Sequence, residues 1–129
     1  MKQTIARVAV VVPDYDEAIA FYCGKLGFDL LEDSDLGGGK RWVVVRPKGA
    51  AETALLLARA EGERQRAAIG NQTGGRVGFF LFTDDFSRDH AAMLSAGVKF
   101  LEAPRDEVYG TVAVFVDPFG NSWDLLQAA

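Results

Sequence analysis

The segment Pro104-Arg105-Asp106-Glu107-Val108-Tyr109-Gly110 gathers a guanidinium, two carboxylates and a phenol just before a strand-like run. Arginine offers a planar fork of donors and tyrosine an amphipathic ring, so Arg105, Glu107 and Tyr109 suit recognition of a planar or anionic ligand. The alternative is a polar loop in which Arg105 and Glu107 satisfy backbone groups. Trp42 presents the same choice between stacking on a planar ligand and filling a core. Other reactive residue types point away from catalysis. Cys23 sits beside Gly24 at a helix end with no histidine partner for a nucleophilic role. The only histidine, His90, is flanked by Arg88 and Asp89 and is expected on a solvated helix surface. Gly37-Gly38-Gly39 reads as a hairpin loop, since no P-loop lysine motif follows it.

Composition narrows the partners. The chain has 129 residues, about half of them apolar, and a formal charge of −4. That length supports a hydrophobic core of one domain. Lys and Arg are scattered, and the densest basic stretch, Arg59 to Arg66, is broken by Glu61 and Glu63. Nucleic-acid binding needs a basic face, so none is expected. No apolar run is long enough for a membrane span, and the N-terminal residues lead into a strand rather than a signal peptide. With Cys23 alone, the expectation is a cytoplasmic protein without disulfides.

The elements that must position these residues come twice. A shift of 70 residues aligns Val10 to Leu31 with Phe80 to Leu101 without a gap, matching Asp14 with Asp84 and Gly27 with Gly97. In each copy a β-branched or aromatic run ends at an Asp able to cap a helix. In the first copy, Glu17 follows Asp14 as in a capping box. A helix of roughly ten residues follows, closed near glycine. Three strands complete each half: Phe28–Glu32, Arg41–Arg46 and Thr53–Ala58, then Val98–Leu101, Thr111–Val116 and Ser122–Leu126. The expected organisation is one α+β domain over 1–129, with a βαβββ module over 1–60, a linker over 61–75 and a second module over 76–129.

Three stretches carry a resemblance that spans nearly the whole chain. They are Val12-Pro13-Asp14 with Ala18, Phe21-Tyr22 and Leu26-Gly27-Phe28; Tyr109 to Phe115; and Asp117-Pro118-Phe119-Gly120-Asn121-Ser122-Trp123-Asp124-Leu125. Together they resemble the vicinal oxygen chelate superfamily of glyoxalase I, extradiol dioxygenases, fosfomycin-resistance transferases and bleomycin-binding proteins. The resemblance implies curled mixed sheets forming a partly closed barrel with helices outside. It also implies a homodimer and a cleft for a small molecule.

Metal-dependent members take a His or Gln from the first strand of each half and a carboxylate from the last. The resemblance puts Arg7 and, through the 70-residue shift, Val77 at the first pair of positions. The second pair falls on the Leu55-Leu56-Leu57 run and Asp124. Imidazole and carboxylate are the usual donors for such ions, and only Asp124 qualifies. A metal-free cleft without cofactor follows. Strand alternation then assigns faces. Ile5, Ala9 and Val11 go with Arg7, while Val8, Val10 and Val12 go beneath the helices. Val77, Phe79 and Leu81 join the cleft, as do Ser122, Asp124 and Leu126, with Trp123 on the far side. Arg7 and Asp124 are expected to meet as an ion pair, serving structure or recognition.

Three functions compete. The first is metal-free sequestration of a planar or amphipathic compound, as in bleomycin resistance. The second is a metal-independent lyase or isomerase using Asp124, Glu107 or Tyr109 as acid or base. The third is a metal-dependent lyase with atypical ligands.

Overall fold

The computed structural model describes residues 1–129 and divides them into two compact units, Met1–Ile69 and Gly70–Ala129. In the first, strands β1 (Arg7–Val12), β2 (Asp29–Gly37), β3 (Lys40–Arg46) and β4 (Ala54–Arg59) form an open sheet in the order β1-β4-β3-β2. β1 and β4 run parallel, the other pairs antiparallel. Helix α1 (Tyr15–Ile19) is only one turn and passes directly into a π-helical segment, Ala20–Lys25. The Asp14 side chain starts it by accepting the Glu17 N–H at 2.8 Å, which satisfies one of the free donors of a helix start. A short helix α2 (Gly62–Ala68) ends this unit, within the stretch expected as linker.

The second unit repeats the plan. Strands β5 (Phe79–Phe82), β6 (Lys99–Phe100), β8 (Gly110–Val116) and β9 (Ser122–Ala128) take the order β5-β9-β8-β6, with β5 and β9 parallel. A short strand β7 (Arg105–Glu107), expected as loop, pairs antiparallel with β8. Helix α3 (Phe86–Ser95) precedes β6, and its N-cap is Asp85, which accepts the Arg88 N–H at 3.0 Å. The fold is therefore α+β with two mixed sheets that do not close.

Register decides which side chains share a face. In the first sheet Val10, Leu57, Val43 and Val45 lie on the helix side and are fully buried. The Tyr15 ring of α1 packs there against Arg41 and Arg59, each guanidinium 5.2 Å from its centroid. Val8 shares that parity but stays exposed, because β1 is an edge strand. In the second sheet the helix side holds an aromatic chain, Phe79–Trp123–Phe115–Phe100–His90–Phe86, with neighbouring centroids 4.6 to 5.7 Å apart. His90 is thus half-buried between two phenyl rings rather than solvated.

The turn Asp117–Asn121 is a closed hydrogen-bonding unit. Asp117 accepts the N–H groups of Phe119 and Asn121 and the Asn121 side-chain amide, at 3.0, 2.8 and 2.7 Å. Both residues are buried, so this polar pair is retained inside only because each satisfies the other.

Candidate functional site

The face away from the helices carries the candidate residues of each unit. On the first, β3 presents Trp42 and β1 presents Arg7, while β2 brings Glu32 beside Val44. Glu32 accepts the Trp42 indole N–H at 3.1 Å and lies 3.6 Å from the Arg7 guanidinium. Trp42 is 38% exposed, so it is a surface for contact rather than a core filler. Glu32 is the carboxylate that Arg7 meets within its own unit. The sequence did not single out Glu32, because only the β2–β3 register brings it within reach of Arg7 and Trp42.

On the second unit β7 sets out Arg105 and Glu107, held in place by the pairing with β8. The Arg105 Nε donates to both Glu102 oxygens at 3.1 and 3.0 Å, and its Nη1 donates to Glu107 at 2.8 Å. The Tyr109 side chain also favours the charged form of Arg105, after Glu102 and Glu107. Glu102 also accepts the Val114 N–H at 3.1 Å, which ties the cluster to β8. With these partners Arg105 is held charged well above the usual guanidinium range, chiefly by Glu102 and then Glu107. Its Nε and Nη1 donate to protein carboxylates, so the fork is largely engaged within the protein.

Asp124 differs from these acids. It stands on β9 opposite Val114 and beside Phe80, and its side chain joins no hydrogen bond or ion pair. Burial raises its carboxyl pKa, Arg105 opposes that rise, and Glu102 adds to it. A half-buried carboxylate without a donor is costly to keep charged.

The second unit also corrects the expected faces. Phe79 pairs with Trp123 and stacks on it at 4.6 Å, on the helix side. Phe80 and Phe82 share the Asp124 face instead and are 54% and 67% exposed. The cause is the cap. Asp85, not Asp84, starts α3, so the strand before it is displaced by 71 residues rather than 70 from its counterpart. The position matching Arg7 becomes Gly78, whose N–H donates to the Ser122 carbonyl, and Val77 falls one residue out of register. Leu56, beside Ala9, matches Asp124, beside Phe80.

The positions that the resemblance relates to metal ligands are thus Arg7 and Leu56 in the first unit, and Gly78 and Asp124 in the second. Only one side chain among them has a suitable donor, and no group of three His, Cys, Asp or Glu residues is placed to hold an ion. These residues do not fit a divalent metal.

A family model for the Glyoxalase/Bleomycin resistance protein/Dioxygenase superfamily matches residues 4–125. The chain is 57% identical over 128 residues to an uncharacterized protein of Shewanella frigidimarina (strain NCIMB 400), covering 98% of this chain and 95% of that one. It is 33% identical to YetH of Bacillus subtilis (strain 168), covering 94% and 95%. Among solved structures, UcmS2 superposes with a TM-score of 0.83 at 31% identity, covering 98% of each chain. TnmS3, an antibiotic binding protein from Streptomyces sp. CB03234, superposes with a TM-score of 0.79 at 33% identity, covering 99% and 98%. Two βαβββ-type units, the Asp117–Asn121 turn and this match across nearly the whole chain place the protein in the glyoxalase/bleomycin resistance/dioxygenase superfamily.

Proposed function

We propose that this protein binds a small planar or amphipathic molecule without a metal and sequesters it. The observation that carries this reading is the chemistry of the two faces away from the helices. Exposed aromatic rings, Trp42 on one and Phe80 and Phe82 on the other, stand next to a few polar groups. Small-molecule sites have that composition, apolar walls with a small number of orienting groups. The residues proposed to meet a ligand are Arg7 and Trp42 on the first unit's face, and Arg105, Glu107, Tyr109 and Asp124 on the second's. The likeness to TnmS3, an antibiotic binding protein, supports the same reading. A homodimer working in the cytoplasm belongs to it. The single cysteine is compatible with a reducing compartment. No helix is long and apolar enough to cross a membrane.

A metal-independent lyase or isomerase is the second reading. One observation favours it: Asp124 is a carboxylate with a raised pKa and no partner, which suits a general base.

One experiment separates the two. The chain has two tryptophans, Trp42 exposed and Trp123 buried. Titration with a panel of planar polycyclic compounds should quench Trp42 emission and raise Tm, and both changes should be lost or reduced in Trp42→Phe. Mass spectrometry of the recovered compound should show it unchanged. A converted compound selects the enzyme, whereas no quenching and no Tm shift across the panel would overturn the binding reading.

A further inference from the structure

The second unit's open face sets one carboxylate among exposed aromatic rings. Asp124 lies directly beside Phe80 across the β5–β9 pair, and Phe82 follows two residues along on the same face. Both rings are more than half exposed. The charged groups around them are unbalanced. Glu102, Glu107 and Asp124 are acids, while Arg105 is already engaged by Glu102 and Glu107. Lys99 shares this face on β6, on the same far side of β8 as Arg105, Glu102 and Glu107, so those four charges cancel and Asp124 is left as the unbalanced one. An anionic ligand would meet three acids and an Arg105 whose Nε and Nη1 are already engaged by two of them. A metal ion would find one carboxylate and no second ligand.

We propose that the sequestered molecule is an organic cation, whose ammonium group is received by the Asp124 carboxylate while its apolar body lies against Phe80 and Phe82. The inference rests on the small-molecule reading and specifies its ligand class. An ammonium supplies what the Asp124 carboxylate lacks, a hydrogen-bond donor that carries its own positive charge. The exposed ring faces add attraction for the same charge. The raised carboxyl pKa of Asp124 agrees with this, because burial opposes its charged form more than the Arg105 charge favours it.

The test uses three fluorescent probes sharing one anthracene ring system: 9-(aminomethyl)anthracene, 9-anthracenemethanol and 9-anthracenecarboxylate. Anisotropy titrations of the full chain at pH 7 should rank ammonium over alcohol by about tenfold or more, as expected for a charge-assisted hydrogen bond, with carboxylate weakest. Asp124→Asn should bring the ammonium to within about twofold of the alcohol and leave the alcohol unchanged. Asp106→Asn removes the same charge from the opposite face, where Asp106 bonds Thr111, and should leave the ranking intact. Should Asp124→Asn fail to fold, the wild-type ammonium preference must instead shrink as NaCl is raised from 20 to 500 mM, roughly a threefold or larger loss by screening. Equal binding of ammonium and alcohol by the wild type overturns the cation proposal and leaves small-molecule binding standing. So does a preference that survives both Asp124→Asn and high salt. If none of the three probes binds, the small-molecule reading fails and the cation proposal with it.

Discussion

Asp124 and Glu102 are acids of the same sheet face with opposite circumstances. Glu102 accepts two bonds from Arg105 and one from the Val114 backbone, so its charge is fully used. Asp124 has apolar Phe80 and Val114 for direct neighbours and no donor. Its raised carboxyl pKa has a consequence for stability. An acid that holds its proton more tightly when folded makes the native state lose stability as pH rises, from the ordinary carboxylate range up to its folded value. Asp124→Asn removes that loss. Urea unfolding should therefore find the variant more stable than the wild type at pH 7, with the difference fading toward pH 3. A difference that stays constant or grows on acidification would show that burial of Asp124 carries no such penalty. Asp33 and Asp89 work in the other direction, since the arginine hydrogen bonds from Arg41 and Arg88 hold their carboxyls below the usual range. Their stabilisation is present at neutral pH and lost on acidification, which is why the comparison between variant and wild type isolates Asp124.

The helix cap before α3 sets the register of a whole element. The sequence offers two adjacent aspartates, Asp84 and Asp85, and a gapless 70-residue alignment selects the first. Hydrogen bonding selects the second, because only Asp85 caps the Arg88 N–H. Asp85→Ala should cost about 1 kcal/mol of stability as a lost N-cap. Asp84→Ala should cost under about 0.5 kcal/mol, since its bond to Arg88 is an exposed i,i+4 ion pair. Equal losses in urea unfolding would refute the assignment. A sharper constraint lies at the start of β8. Gly110 has φ +148, and a Cβ there would stand 2.1 Å from the Gln127 carbonyl oxygen. Gly110→Ala should therefore cost at least about 2 kcal/mol, from strained backbone and a clash with the paired strand β9; chemical unfolding with a loss below about 1 kcal/mol would contradict that geometry. Much of the element plan was legible because caps, glycines and the Asp117–Asn121 turn are local chemistry, complete within five residues. The candidate faces were legible only in part. A one-residue slip at Asp84 and Asp85 moved Phe79 for Phe80, since side-chain period is two. Glu32 and Glu102 escaped notice because their bonds to Trp42 and Val114 are cross-strand, and spacing along the chain does not encode them.

At the scale of the molecule, a duplicated fold has kept its architecture while its two copies have lost equivalence. Both copies have the same strand order at the parallel edge, β1-β4 and β5-β9, with a capped helix after the first strand. Yet the matched positions hold Arg7 against Gly78 and Leu56 against Asp124. A guanidinium repels a cation, and glycine and leucine side chains offer no donor, so three of the four positions give a divalent ion nothing to bind. The thermodynamic consequence is measurable without knowing any substrate. A ligand present at 100 times its Kd stabilises the native state by about 2.7 kcal/mol. In a chain of 129 residues that is a Tm rise of several degrees. Zn2+, Ni2+, Mn2+ or Mg2+ at about 1 mM should instead move the Tm by less than about 1 °C, and EDTA treatment should leave it unchanged. A rise of several degrees with any one metal, lost in Asp124→Asn, would place an ion at Asp124 after all and return the protein to its metal-dependent relatives. The residues make the first outcome the expected one: strands and caps preserve the faces, and three of the four positions on them carry no donor for an ion.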